Sequence, residues 1–133
     1  MQILRVLLRE AAIGNSLLVA LIGDRFYPSE IALIANPVYP CVNFSIDIAF
    51  GADRDIPKIH SINFGIWAWD KTSIDQAYAV YEAVFNLFER ELLTSNDAYA
   101  LLFQISSPFN LYDPVTQAYG WFGRWNAHVT QRT

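Results

Sequence analysis

The chain has 133 residues, enough for one domain, 1–133, with a single hydrophobic core. Hydrophobic residues make up 53%, aromatics 15% and charged residues only 17%, against about 25% charged in ordinary soluble domains. Either the core is unusually full or neighbouring subunits cover part of the surface. The net charge is −4 and the nine basic residues are scattered, which disfavours binding to a nucleic-acid backbone or an anionic membrane, since both need clustered cations.

Ile3, Val6, Leu7, Glu10 and Ala11 follow helical spacing, so the chain opens on an amphipathic helix with Leu4 and Leu8 flanking its stripe. Arg5, Arg9 and Glu10 interrupt any signal-like character, and Ala11–Ile22 is too short and too polar at Asn15–Ser16 to span a bilayer. Gly14-Asn15-Ser16 breaks this helix, Asn15 or Ser16 caps a second short piece, Leu17–Ile22, and Gly23 ends it. Residues 23–40, "GDRFYPSEIALIANPVYP", hold three prolines and predict a long, unusually apolar connection with little regular structure.

"CVNFSIDIAF" alternates as a strand, with Val42, Phe44, Ile46 and Ile48 on one face and Cys41, Asn43, Ser45 and Asp47 on a polar one. After the polar turn "GADRDIPK", "IHSINFGIWAW" predicts a second strand. Its one face carries His60, Ile62, Phe64, Ile66 and Ala68, and its other carries Ile59, Ser61, Asn63, Gly65, Trp67 and Trp69. Ser73 with Gln76 fits a capping box, and Asp75 suits the positive end of the helix that follows. Its stripe is Ile74, Ala77, Tyr78, Tyr81, Val84, Phe85, Phe88 and Leu92. "SND" is a turn, "AYALLFQIS" is β-compatible, "SPFNLYDPVTQ" is loop-like, and "AYGWFGRWNAHVT" alternates as a last strand. The expected fold class is α+β: an antiparallel-rich sheet of about four strands with helices on one face.

Little in the pattern carries chemistry. His60 and His128 have no Cys or second His at metal-ligand spacing, so no metal site is expected. No G-x-S-x-G is present, and Ser106-Ser107 before a proline read as a turn. Gly120 and Gly123 lack the context of a phosphate cradle, and Asp53 and Asp55 read as a hairpin turn. Cys41 is the single cysteine, with no cation beside it in sequence, so it is expected to be a packed thiol that forms no internal disulfide. No cofactor is expected, and the chain is not expected to be an enzyme. The strand bearing Trp67 and Trp69 is apolar on both sides, which predicts cover on both sides, the second from the N-terminal helix or from another subunit. For Phe26, Tyr27, Tyr39, Phe109 and Tyr112, folding back onto the core and anchoring an interface both remain open.

"LIGDRFYP" after an N-terminal helix, "PVYPCVNFSI" opening a strand, "SINFGIWAWDKTSIDQAYAVYEAVFNLF" as strand into helix and the final "GRWNAHVTQR" resemble the tail-terminator or tail-completion proteins of long-tailed bacteriophages. The resemblance runs over nearly the whole chain, except that "SSPFNLYDPVTQAYG" does not align with it. It implies a virion protein, assembled in the host cytoplasm, that forms a homo-oligomeric ring, commonly a hexamer. Such a ring sits at the head-proximal end of the tail, ends growth of the tail tube protein and docks the head connector. Viral DNA passes through its lumen without specific binding, and no membrane is involved. Candidate interface residues are Phe26, Tyr27, Tyr39, Trp67, Trp69, Phe109, Tyr112 and Trp121. Loops 23–40 and 106–118 would make the end contacts, and strand edges and the N-terminal helix the contacts around the ring. A head-completion adaptor ring shares this class, whereas a small ligand-binding or enzymatic oligomer would need a deep pocket with convergent polar groups.

Overall fold

Where the leucines fall decides how the chain begins. The computed structural model describes residues 2–28, 34, 36–47, 59–96 and 98–131, with backbone alone for Gln2, Ile59 and His60. Helix α1, Gln2–Ile13, buries Leu4, Leu7, Leu8 and Ala12 and leaves Val6 and Glu10 outside. The buried stripe is therefore turned from the expected one, and Leu4 and Leu8 lie at its centre. The side chain of Asn15 accepts from the N–H of Leu18 at 2.9 Å to start α2, Ser16–Ile22. Gly23 ends α2 at φ 61°, where only glycine is unstrained, and donates its N–H to Val19.

Among the described residues, the connection 23–40, expected to have little regular structure, holds a short strand, β1, Phe26–Tyr27. It pairs in parallel with β2, Cys41–Ile46, and two arginines fix it in place. Arg9 donates to the Phe26 carbonyl at 2.7 Å, and Arg25 donates to that of Pro40 at 2.9 Å. Cys41 is buried, as expected of a packed thiol, and Asn43, expected with it on the more polar face, is buried too. Residues 29–33 and 35 of the connection, Ile48, and the turn with Asp53, Arg54 and Asp55 lie outside the described residues.

Strand β3, Ile59–Asp70, turns into α3, Ile74–Phe88, within three residues. Asp70 makes this abrupt entry possible: its carboxylate accepts from the N–H groups of Thr72 (2.9 Å) and Ser73 (3.3 Å). Ser73 then accepts from the Gln76 N–H at 3.2 Å. Half of the expected capping box is present, and Asp70 occupies the role expected of the Gln76 side chain. Ala77, Val80, Tyr81, Val84 and Phe88 face the sheet. Tyr78 stays exposed, and Leu92 leaves the helix to open β4, Leu92–Thr94.

The remaining strands are β5, Ala98–Gln104, β6, Phe109–Asp113, and β7, Ala118–Gln131. Among the described residues the sheet thus has seven strands rather than about four, in the order β1-β2-β3-β7-β5-β4, with β6 also on β7. All pairs but β1–β2 are antiparallel. The unforeseen strands are short, and β6 lies between two prolines, so its local pattern reads as loop. What makes it a strand is the length of β7, which runs on past β5 and offers it a partner.

The sheet is curled. Helix α1 touches β1 at one end of the strand order and β4 and β5 at the other, while α3 crosses the middle. The Phe88 ring consequently lies 6.1 Å from Phe26 and 6.3 Å from Trp125, bringing α3, β1 and β7 together. Trp125 is wholly buried and donates its indole N–H to the Tyr81 hydroxyl at 3.2 Å, and Tyr81 donates in turn to the Gln104 side chain. Gly123 makes the space, since a Cβ there would overlap the Tyr81 hydroxyl.

Gly123→Ala should destabilise the protein by about 1–3 kcal/mol through overpacking, measured as a lower urea midpoint. Ser73→Ala should cost about 1 kcal/mol by loss of the cap, with α3 amides 74–76 exchanging faster than the rest of the helix.

Candidate interface at the aromatic end of the sheet

The sheet face turned away from the helices has two ends of different character. One end is polar: Asn126 donates to Ser61 (3.0 Å) and Asn63 (2.8 Å), and Arg124 pairs with Asp47 at 2.7 Å. The other end is aromatic. Trp69 lies over Gly120, where a Cβ would come within 2.7 Å of the indole, and donates its N–H to Asn43 at 2.7 Å. Both residues are buried, so this hydrogen bond satisfies two groups that would otherwise be costly in an apolar setting.

The cover over Trp69 comes from the same chain. Tyr27, Ile34, Tyr39 and Leu111 pack on the cluster of Cys41, Trp69 and Ala118. The expected cover by α1 or by another subunit is thus corrected at this point: α1 lies against the opposite, helical side, and the segment around Tyr39 folds over Trp69. Beside it, Trp67 packs on Phe122 with ring centroids 4.5 Å apart, and Phe109 packs on Phe122 at 5.3 Å. Lys71 stands over the Tyr39 ring at 5.1 Å. The Tyr39 hydroxyl has no hydrogen-bond partner at ordinary distance among the described residues. Burial raises its pKa, and Thr116 pulls it the other way.

The eight candidate residues separate by exposure. Phe26 and Trp69 are core residues with no surface to offer a partner, so they are withdrawn as interface anchors. Tyr27, Tyr39, Trp67 and Trp121 are half-buried, and Trp121 is held by donating to the Ile74 carbonyl at 3.1 Å. Phe109 and Tyr112 are exposed at 55% and 50%. Val115 at the tip of the β6–β7 turn and Leu17 on α2 are more exposed still, and neither was singled out from the sequence. The signal for Leu17 was present: a seven-residue helix reading "SLLVALI" can bury only one of its apolar faces.

Chemistry is sparse here. Burial pushes the Cys41 thiol up from 9.0 to about 12, with Arg25 opposing the shift, so it is no thiolate nucleophile near neutrality. His128 is exposed against Phe103, and the side chain of His60 lies outside the described residues. Among the described residues no group of three or more His, Cys, Asp or Glu could hold a metal, and no helix is long and apolar enough to cross a membrane.

Cys41 and Tyr81, the latter also pushed up to about 12 by burial, hold their protons more tightly folded than unfolded. Their contribution to stability is complete below about pH 9 and is lost as pH climbs towards 12. Urea midpoints should therefore be flat from pH 7 to 9 and fall above it. A thiol reagent at pH 8 should modify Cys41 only as fast as the protein unfolds; labelling at the rate of a free thiol would contradict its burial.

No family model and no curated protein matches this chain. Among solved structures 24 chains match. One belongs to the virion of a native gene transfer agent (GTA) particle, with 15% identity and a TM-score of 0.67, over 92% of this chain and 91% of that one. The chain therefore shares its α+β fold, nearly end to end, with a chain of that particle.

Proposed function

We propose that this protein is a structural component of a phage-like virion. In this reading it forms a homo-oligomeric, hexameric ring at the head-proximal end of the tail tube, ends tube polymerisation and docks the tail to the head connector. The observation that carries the reading is the end-to-end fold likeness to a chain of a gene transfer agent virion, 91% of that chain being covered. The sequence motifs resembling tail-terminator proteins point the same way, and the exposed apolar residues fit it.

Eight of those residues fall in two groups, while Val6, Val38, Tyr78, Leu92 and Tyr99 lie elsewhere. Ile13, Leu17, Val19 and Leu21 are exposed around the α1–α2 junction. Ile105, Phe109, Tyr112 and Val115 are exposed along the β5–β6 arm and its turn. In the proposed ring the first group makes contacts around the circle, and the second makes the end contacts with tube or connector. The nine basic residues are scattered along the sequence, in keeping with a conduit that must not grip DNA in its lumen.

Native mass measurement at high concentration, or with the tube protein added, should show a ring; a monomer under all these conditions would overturn the reading. Leu17→Glu should abolish the ring with little change in melting temperature, because the residue is 75% exposed. Particles lacking the protein should carry overlong or ragged tails. Normal tails with leaking heads would move it to the adaptor layer of the neck.

A further inference from the structure

Along the β5–β6 arm, one edge is covered by no described residue. On β5, Tyr99–Leu101 pair with β4. Beyond them, Arg90 donates to the Leu102 carbonyl at 2.8 Å, Leu102 donates to Glu91 at 3.2 Å, and the Gln104 N–H reaches the Glu89 carboxylate at 2.8 Å. Among the described residues, strand β6 pairs with β7 alone. Ile105 donates to the Arg124 carbonyl at 2.9 Å, so Arg124 directs its backbone groups to this side of β7. By the two-residue alternation of a strand, Phe122, Gly120 and Ala118 do the same. Their partners Phe109, Leu111 and Asp113 therefore turn their groups inward. Asn110 and Tyr112 turn theirs outward, where no described residue pairs with them.

A groove of about 310 Å³ adjoins this edge. Tyr78, Tyr81, Glu82 and Phe85 of α3 form one wall, and Gln104 and Pro108 the other. The wall and the edge are contiguous: Pro108 directly precedes β6, and the Tyr78 ring packs at 4.9 Å on Trp121, the register partner of Asn110. We propose that β6 and this groove bind an extended segment of a partner protein as an added strand. The partner's backbone pairs with Asn110 and Tyr112. Its alternate apolar side chains enter the groove, and a lysine or arginine meets Glu82.

The occupant is a different protein rather than a second copy of this chain. Apart from β6 itself, the other edges among the described residues are shorter than its five residues: two in β1, three in β4, the consecutive residues 44–46 of β2 beyond β1, and 59–62 of β3 beyond β2. The net charge of −4 also sets this chain against the negative Glu82, which suits a basic partner. The proposal goes beyond the ring reading and does not require it.

The test is a selection of random displayed dodecapeptides on the immobilised full chain, followed by fluorescence anisotropy with the enriched peptides. They should alternate apolar with polar residues and carry Lys or Arg. Tyr112→Pro removes one outward N–H that bonds nothing within the sheet, and should weaken binding by about tenfold or more. Glu82→Lys should weaken binding several-fold with an unchanged melting temperature, and ring mass should not change in either variant. Hydrogen exchange decides the matter even if Tyr112→Pro fails to fold. The amides of Asn110 and Tyr112 should exchange fast in the free chain and slowly with peptide, while Leu111 is protected in both. No enrichment, or binding that leaves those two amides unprotected, would overturn the proposal. Protection that rises with protein concentration alone would do so too, by making a second copy the occupant.

Discussion

The contact between α3 and β7 is the constraint on which the rest of the structure depends. Trp125 fills the centre of the core, its N–H is satisfied by Tyr81, and Tyr81 is satisfied by Gln104 at the end of β5. Three elements distant in sequence are thus tied at one polar chain inside an apolar core. Such a chain is stabilising when every member is paired and costly when one is not. Gly123 lets the helix approach closely enough for the chain to form. The curl of the sheet, the passage of α1 beneath it and the exit of the chain into β4 all take their positions from this crossing.

A second pairing governs the opposite face. Trp69 with Asn43, seated over Gly120, makes β3 apolar on both sides, and the segment around Tyr39 closes over it. A chain with so little charge thereby hides much of its aromatic surface without help. Among what stays uncovered, two groups stand out: the outer face of α2, and the β6 arm with its turn. Grouped apolar surface of this kind marks contact with other molecules.

The β6 arm combines three properties that seldom meet by accident. It has a backbone edge that no described residue pairs, exposed aromatic side chains and an adjoining groove walled by a helix. Unprotected edges are normally shortened, charged or covered, because they invite pairing. This one keeps five residues with Phe109 and Tyr112 outermost.

Much of this was legible in the residues. The period-two runs of β2, β3 and β7, the Asn15 and Ser73 caps, the Gly23 stop and the mixed α+β class all follow from local chemistry: side-chain alternation, one hydrogen bond to a bare N–H, one glycine at positive φ. Those signals lie within a few residues of the feature they specify. The register of the α1 stripe, the strands β1, β4 and β6, the burial of Asn43, and the separation of Phe26 and Trp69 from Phe109 and Tyr112 were settled otherwise. Each depends on a partner far along the chain: β7 for β6, the arginines for β1, and the Tyr39 segment for the face of β3. A short strand has no stability of its own and exists only where a neighbour offers its edge, so its presence is decided by the fold and is invisible in its own residues.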